Sequence, residues 1–297
     1  MTLTKTRKSL LAAALLLVCL GAQAAAPAAP YATVDAVQSP AWVERGEKRL
    51  PLAVGQEMQN RDRIVTGDDA RVVLRLAEGS AVKLGENATA KVDALGRREG
   101  GVFTAALDVV KGAFRFTTGV FSKAQDRRAV NVRIATITAG IRGTDLWGSS
   151  NADRDLVCLI EGRITVMHEK AEPLLMSEPL SFYVAPRGEA PKPVADVDPQ
   201  QLAQWAKETE AEAGQGVSRH GGRWKVRAAT VGSEAEALAM YDRLRNAGYP
   251  AKIKVSGKTR NYRYELLVPH LASEADAEMV AYRLAGRLGF SAPRAVR

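Results

Sequence analysis

Residues 223–228 read Arg-Trp-Lys-Val-Arg-Ala, and residues 262–268 read Tyr-Arg-Tyr-Glu-Leu-Leu-Val. Both alternate apolar and polar side chains, the period of a strand with one buried face. Between them, Ser233 caps a helical stretch to about Ala247. Ala237, Met240, Tyr241 and Leu244 share its apolar face, and Gly248 ends it. Ala251-Lys-Ile-Lys-Val255 alternates again. Ser273 then caps a second helix to Leu288, stopped by Gly289, and Ser291–Val296 supplies a last short strand. The order β-α-β-β-α-β predicts a split βαβ module over residues 223–297, a small α+β fold.

Alternate strand residues face opposite sides of a sheet. Trp224, Val226, Ala228, Ala251, Ile253, Val255, Tyr262, Tyr264 and Leu266 are expected to pack on the helices. Lys225, Arg227, Lys252, Lys254 and Arg263 then point outward with Glu265, and Arg294 or Arg297 can join them. From Val217 to Arg297 there are 15 basic and 7 acidic side chains, a balance of +8 against +9 for the whole chain. Such a face suits an anionic polymer or surface. RNA-binding sheets stack bases on exposed aromatics, whereas these aromatics alternate inward, so nucleic acid is not the expected partner.

Working toward the N-terminus, Gly214–Gly222 reads as a flexible joint. Asp198-Pro199 opens a helix near 199–213, with Leu202, Trp205 and Ala206 on one face. Pro186, Pro191 and Pro193 mark a linker, so residues 185–222 are expected to connect two domains. From Val34 to Val184 the signal is β. Arg71–Leu76, Ala81–Leu84, Val130–Ile137, Leu156–Ile160 and Arg163–Met167 are short alternating or apolar runs, punctuated by Gly67-Asp68-Asp69, Glu78-Gly79-Ser80, Gly85-Glu86-Asn87 and Glu161-Gly162. Many short strands at this spacing predict an all-β sandwich or roll. The whole is therefore a multi-domain chain.

Lys5, Arg7 and Lys8, then uncharged Ser9–Gly21, then Ala22-Gln23-Ala24, form the three parts of a secretory signal peptide over residues 1–24. An uncleaved inner-membrane anchor is the alternative. Val18 before Cys19 does not fit a lipidation site. Cleavage leaves Cys158 alone, flanked by Val157, Leu159 and Ile160, an inert buried thiol rather than a nucleophile.

The β region resembles the FecR domain of envelope regulators. The matching residues are Val54-Gly55, Asp62–Gly67, Arg71–Leu76, Gly79-Ser80, Gly112–Arg115, Ile141–Asp145 and Glu161-Gly162. Regulators of that family carry a cytosolic segment and a membrane span before the domain, where this chain is expected to carry a signal peptide. The C-terminal part looks like a SPOR domain through Trp224-x-Val226 and Tyr262-x-Tyr264-x-Leu266 with Pro269. That family commonly has Gln and Gly where this chain has Arg227 and Val268. The resemblance implies a non-enzymatic module that binds peptidoglycan strands stripped of stem peptides. Lys225, Arg227, Lys252, Lys254 and Arg263 become the candidate glycan-binding residues, meeting the lactyl carboxylates of muramic acid.

No G-x-S-x-G, G-x-G-x-x-G, P-loop or H-E-x-x-H occurs. His168, His220 and His270 read as exposed, without metal-ligand spacing, so no cofactor or metal is expected. Arg142, Gly143, Thr144 and Asp145 read as a structural turn, with the Asp145 carboxylate on Arg142 or a backbone N–H. The expectation is an exported, periplasmic, non-enzymatic adaptor that binds peptidoglycan and presents its β domain to another envelope component. The alternative is a FecR-type periplasmic regulator that receives a signal, and a wall hydrolase or its activator comes third.

Overall fold

A computed structural model describes residues 29–118, 128–141, 143–258 and 261–297. The leader, Cys19 and Arg142 lie outside the described residues.

One strand organises the first domain. Phe103–Thr117 is 15 residues long. Its first half pairs antiparallel with Thr89–Arg97 and parallel with Arg128–Ile134. Its second half pairs with Ala81–Leu84 and Asp145–Ser150. Gly112 stands between the halves at φ +91°, where a Cβ would come within 2.5 Å of the Ala88 Cα. Only glycine tolerates both conditions, so the strand bends there and serves two sheets. On one side of it the first sheet continues through Arg71–Leu76 to Ala32–Gln38. On the other it continues through Arg154–Glu161 to Ser181–Pro186. The second sheet runs from Lys48–Pro51 through Ala41–Arg45 and Arg63–Thr66, and ends at Ile137–Ile141, Ile164–His168 and Ala171–Met176. Phe103, Phe114, Phe116, Ile134, Ile137 and Leu146 fill the space between the sheets. The expected sandwich or roll is therefore present. It follows from the two-residue alternation, which gives each strand one apolar face to bury.

The connecting segment is fastened rather than loose. Helix α1 (Pro199–Thr209) starts at Asp198, whose carboxylate accepts from the Gln200 and Gln201 N–H groups. Its Trp205 stacks on Trp147 of the first sheet at 4.7 Å, with Phe182 edge-on at 6.0 Å. Gly214–Gly222, expected to be a joint, instead contains the strand Val217–Arg219. That strand pairs with Ala36–Gln38 on one side and, through Ser218, with Leu271 on the other. The cause is Asp276, a buried carboxylate that accepts from the Gly214, Gly216 and Val217 N–H groups at 2.9, 3.0 and 2.9 Å.

The C-terminal module has the expected order. Its strands lie as Lys252–Ser256, Arg263–Leu271, Trp224–Val231 and Arg294–Val296, all antiparallel. Helices α2 (Glu234–Asn246) and α3 (Glu274–Leu288) cover one face. Ala237 and Leu244 from α2 meet Val280 and Leu284 from α3 over Val226 and Leu266. Val255 and Tyr262 differ from expectation: at 53% and 47% exposed they stay outside the core under the helices. No described helix is long and apolar enough to cross a membrane.

Candidate functional site

The uncovered face of the C-terminal sheet gathers cations from four strands. Register sets their order. Arg227 lies opposite Arg294 on one side and Leu267 on the other. Lys225 lies opposite Val296. Lys252 meets Leu267, Lys254 meets Glu265, and Ser256 meets Arg263. The buried residues Val226, Leu266 and Val268 alternate with these and point to the helices, so Lys225, Arg227, Lys252, Lys254, Arg263 and Arg294 share the opposite face. Arg294 thus belongs to the set, which its place in a final strand had suggested.

Glu265 divides the set. Its carboxylate lies 2.9 Å from Arg227 Nε and 3.7 Å from Lys254 Nζ. The Arg227 contact has ion-pair distance without hydrogen-bond alignment. Among the described residues no carboxylate forms an ion pair with Lys225, Lys252, Arg263 or Arg294. Four cations are thus available to a ligand, while two are shared with the protein's own acid. Tyr264 turns toward the helices with the core, and the face offers no aromatic platform for bases.

At one edge this face meets the first domain. Residues 50–56 approach Lys252 and His270 across a cleft of about 360 Å³. His270, next to last in the strand Arg263–Leu271, has φ +68°. Partial burial, then the nearby charges of Lys252, His220 and Lys225, hold its pKa below 6.5. The domains are joined beside the cleft. The Trp42 indole N–H donates to the Asn246 carbonyl at 3.2 Å, and Arg287 pairs with Asp69 at 2.7 Å.

The turn at Gly143–Asp145 ties strands together. The Thr144 hydroxyl donates to the Arg163 carbonyl at 2.9 Å, and its N–H donates to the Thr118 hydroxyl at 3.0 Å. Gly143 has φ +67°, and a Cβ on Gly162 would strike the Gly143 carbonyl at 2.2 Å. The expected Arg142 contact of Asp145 lies outside the described residues. Among the described residues the Asp145 carboxylate accepts from Arg115 Nε and Nη2 at 3.0 and 2.7 Å and from the Thr117 hydroxyl at 3.3 Å. Arg115 lies opposite Trp147, two residues along the paired strand, within side-chain reach. Asp62, a fully buried carboxylate, receives Arg45 in the same bidentate way at 2.7 and 2.6 Å and also accepts from the Gln59 N–H.

His168 is a correction. It is buried, because it continues the inward row of Ile164 and Val166, and its Nδ1 accepts from the Lys170 N–H at 3.1 Å. His220 and His270 are exposed. Cys158 is fully buried, and burial with the nearby Asp145 charge pushes its pKa up to about 12. A thiol held that high has no thiolate at neutral pH and does not act as a nucleophile. No cluster of metal-ligating side chains occurs among the described residues.

Comparison with known families agrees with this division of the chain. The model of the FecR protein family matches residues 62–165, and the SPOR domain model matches residues 220–294. A FecR domain is followed by a SPOR domain. No curated protein matches the chain. Among solved structures, two crystal structures of a candidate anti-sigma factor from Parabacteroides distasonis ATCC 8503, at 1.65 and 2.50 Å resolution, are similar. Each is 10% identical with a TM-score of 0.40, covering 76% of this chain and 92% or 91% of that one. The SPOR domain indicates peptidoglycan binding, and both domains are associated with the cell envelope.

Proposed function

We propose that this is an exported, non-enzymatic adaptor. Its SPOR sheet face holds stem-peptide-free glycan strands in the periplasm, and its FecR domain faces another envelope component. The observation that carries the reading is the open face with Lys225, Lys252, Arg263 and Arg294 unpaired among the described residues. The lactyl carboxylates of denuded muramic acid repeat along a glycan strand and supply the complementary charge. One exposed pair contributes only ~0.2–1 kcal/mol. Micromolar binding needs ~8 kcal/mol, so several cations must act together with hydrogen bonds to sugar hydroxyls.

The test is co-sedimentation of the full chain with purified sacculi, with and without prior amidase treatment. Amidase treatment should increase the bound fraction, and Arg263→Glu with Arg294→Glu should abolish it. Undiminished binding by that double variant overturns the assignment. Release of soluble wall fragments during the incubation would show hydrolysis instead.

A further inference from the structure

We propose that the cleft between the two domains is a second ligand site, made jointly by them, that takes one N-acylated sugar bearing a carboxylate. The proposal rests on the peptidoglycan reading of the adjoining sheet face. The cleft measures about 360 Å³, at the small end of the ~300–1,000 Å³ range of ligand pockets.

Its walls divide by chemistry. The FecR domain supplies Val37, Leu50 and Val54, and the SPOR domain supplies Arg245, Lys252 and His270. No acidic side chain lines it. The Arg245 guanidinium is positioned rather than neutralised: its Nη1 donates to the Tyr241 hydroxyl at 2.6 Å and its carbon sits 5.1 Å from that ring. Lys252 belongs to both the cleft and the sheet face, so the two are continuous. A carboxylate placed between Lys252 and Arg245 leaves the methyl groups of a lactyl ether and an acetamide against the aliphatic wall. Neither domain offers both halves alone.

The cleft is also held in shape. Ser218 lines it, and its strand is paired to both domains. Gly248 lies so close to the Trp42 indole that a Cβ there would come within 2.8 Å of the ring. A preformed site loses less freedom on binding. The SPOR domain therefore does not act as a free tether: the FecR domain completes one of its sugar subsites.

Only three histidines occur in the chain, so the ring signals of His270 are resolvable. N-acetylmuramic acid is titrated into the full chain carrying ring-labelled histidine. His270 signals are expected to move and His168 signals to stay. Gln56→Glu adds a carboxylate to the cleft wall isosterically, and it can keep the acceptance from the Ala53 N–H that Gln56 Oε1 makes at 3.2 Å. It should weaken the response at least fivefold, as should Lys252→Ala. N-acetylglucosamine, which lacks the carboxylate, should bind at least fivefold more weakly. Arg263→Glu with Arg294→Glu should leave the His270 response intact. An unmoved His270, an undiminished response in Gln56→Glu, or equal binding of the uncharged sugar overturns the proposal. Loss of the response in the double variant places the sugar on the open face and also overturns it. Sacculus binding without any His270 response sinks the cleft alone. A His270 response without sacculus binding sinks the sheet-face reading alone.

Discussion

The two domains use charge in opposite ways. In the FecR domain Asp62 and Asp145 each take one arginine in a bidentate embrace, so cation and anion cancel inside the fold. On the SPOR sheet face only two of six cations, Arg227 and Lys254, meet an acid, Glu265. The first arrangement fixes strands and has nothing left for a partner. The second leaves charge facing solvent, where each cation contributes little to stability. Charge count alone does not separate the two uses. Asp62 is fully buried, whereas Lys252, Lys254, Arg263 and Arg294 are exposed.

The sharpest way to break the contrast is to remove a carboxylate that sits in the fold. Asp62→Ala strands the Arg45 guanidinium and the Gln59 N–H, which the carboxylate now holds. Asp62 is buried while Arg45 is 37% exposed, so the cost falls toward the lower end of the about 3–5 kcal/mol of a fully buried pair, read as a fall in the midpoint of chemical denaturation. A loss below about 1 kcal/mol would mean that the pair behaves as a surface pair. Asp276→Ala comes next. It leaves three backbone N–H groups of the connecting segment unpartnered. A buried group that loses its partner costs about 1–3 kcal/mol, here partly recovered by water at the loosened segment. Faster amide exchange at Gly214, Gly216 and Val217 is the measurement. Unchanged exchange would show that pairing of Val217–Arg219 holds the segment without the carboxylate.

These residues also mark where the sequence is readable. The sheet face was legible because strand alternation decides direction from neighbours alone: Val226 inward forces Lys225 and Arg227 outward. The glycines at 214, 216 and 221 were misleading. Each has positive φ, which is what glycine permits, but permissive torsions say nothing about whether the flanking N–H groups find an acceptor. That acceptor, Asp276, lies about sixty residues away and looks like an ordinary acid in the first turn of α3. Arg115 and Asp145 were hidden for the same reason, since their contact depends on which strands are neighbours. Register is a tertiary property, and so is the division of the sheet face by Glu265. The cleft needs both domains and had no local signal at all.

Glu265→Gln sharpens the comparison from the other side. It removes the one acid that shares Arg227 and Lys254. Stability should change by less than about 1 kcal/mol. Affinity for amidase-treated sacculi should rise about two- to fivefold, because two more cations face the ligand and an unfavourable carboxylate is gone. Weaker binding would show that Glu265 positions Arg227 for the sugar rather than competing with it.

The smallest effect is a titration. His270 has its pKa held below 6.5 first by burial and then by Lys252, with His220 and Lys225 behind. A histidine whose folded pKa is lowered binds fewer protons than the unfolded chain just below pH 6.5. It therefore has no effect on stability well above that value and becomes destabilising as pH falls below it. Lys252→Ala removes the second cause and leaves the first, so the His270 midpoint should climb toward 6.5 without reaching it. A carboxylate bound in the cleft adds a favourable charge beside the ring and should raise the midpoint further. Sugar-acid affinity then increases as pH drops through the titration, whereas a carboxylate beyond reach of the imidazole on the open face gives no such dependence. Ring-proton shifts of His270 against pH, with and without N-acetylmuramic acid, separate the two, and coincident curves would remove the carboxylate from the cleft.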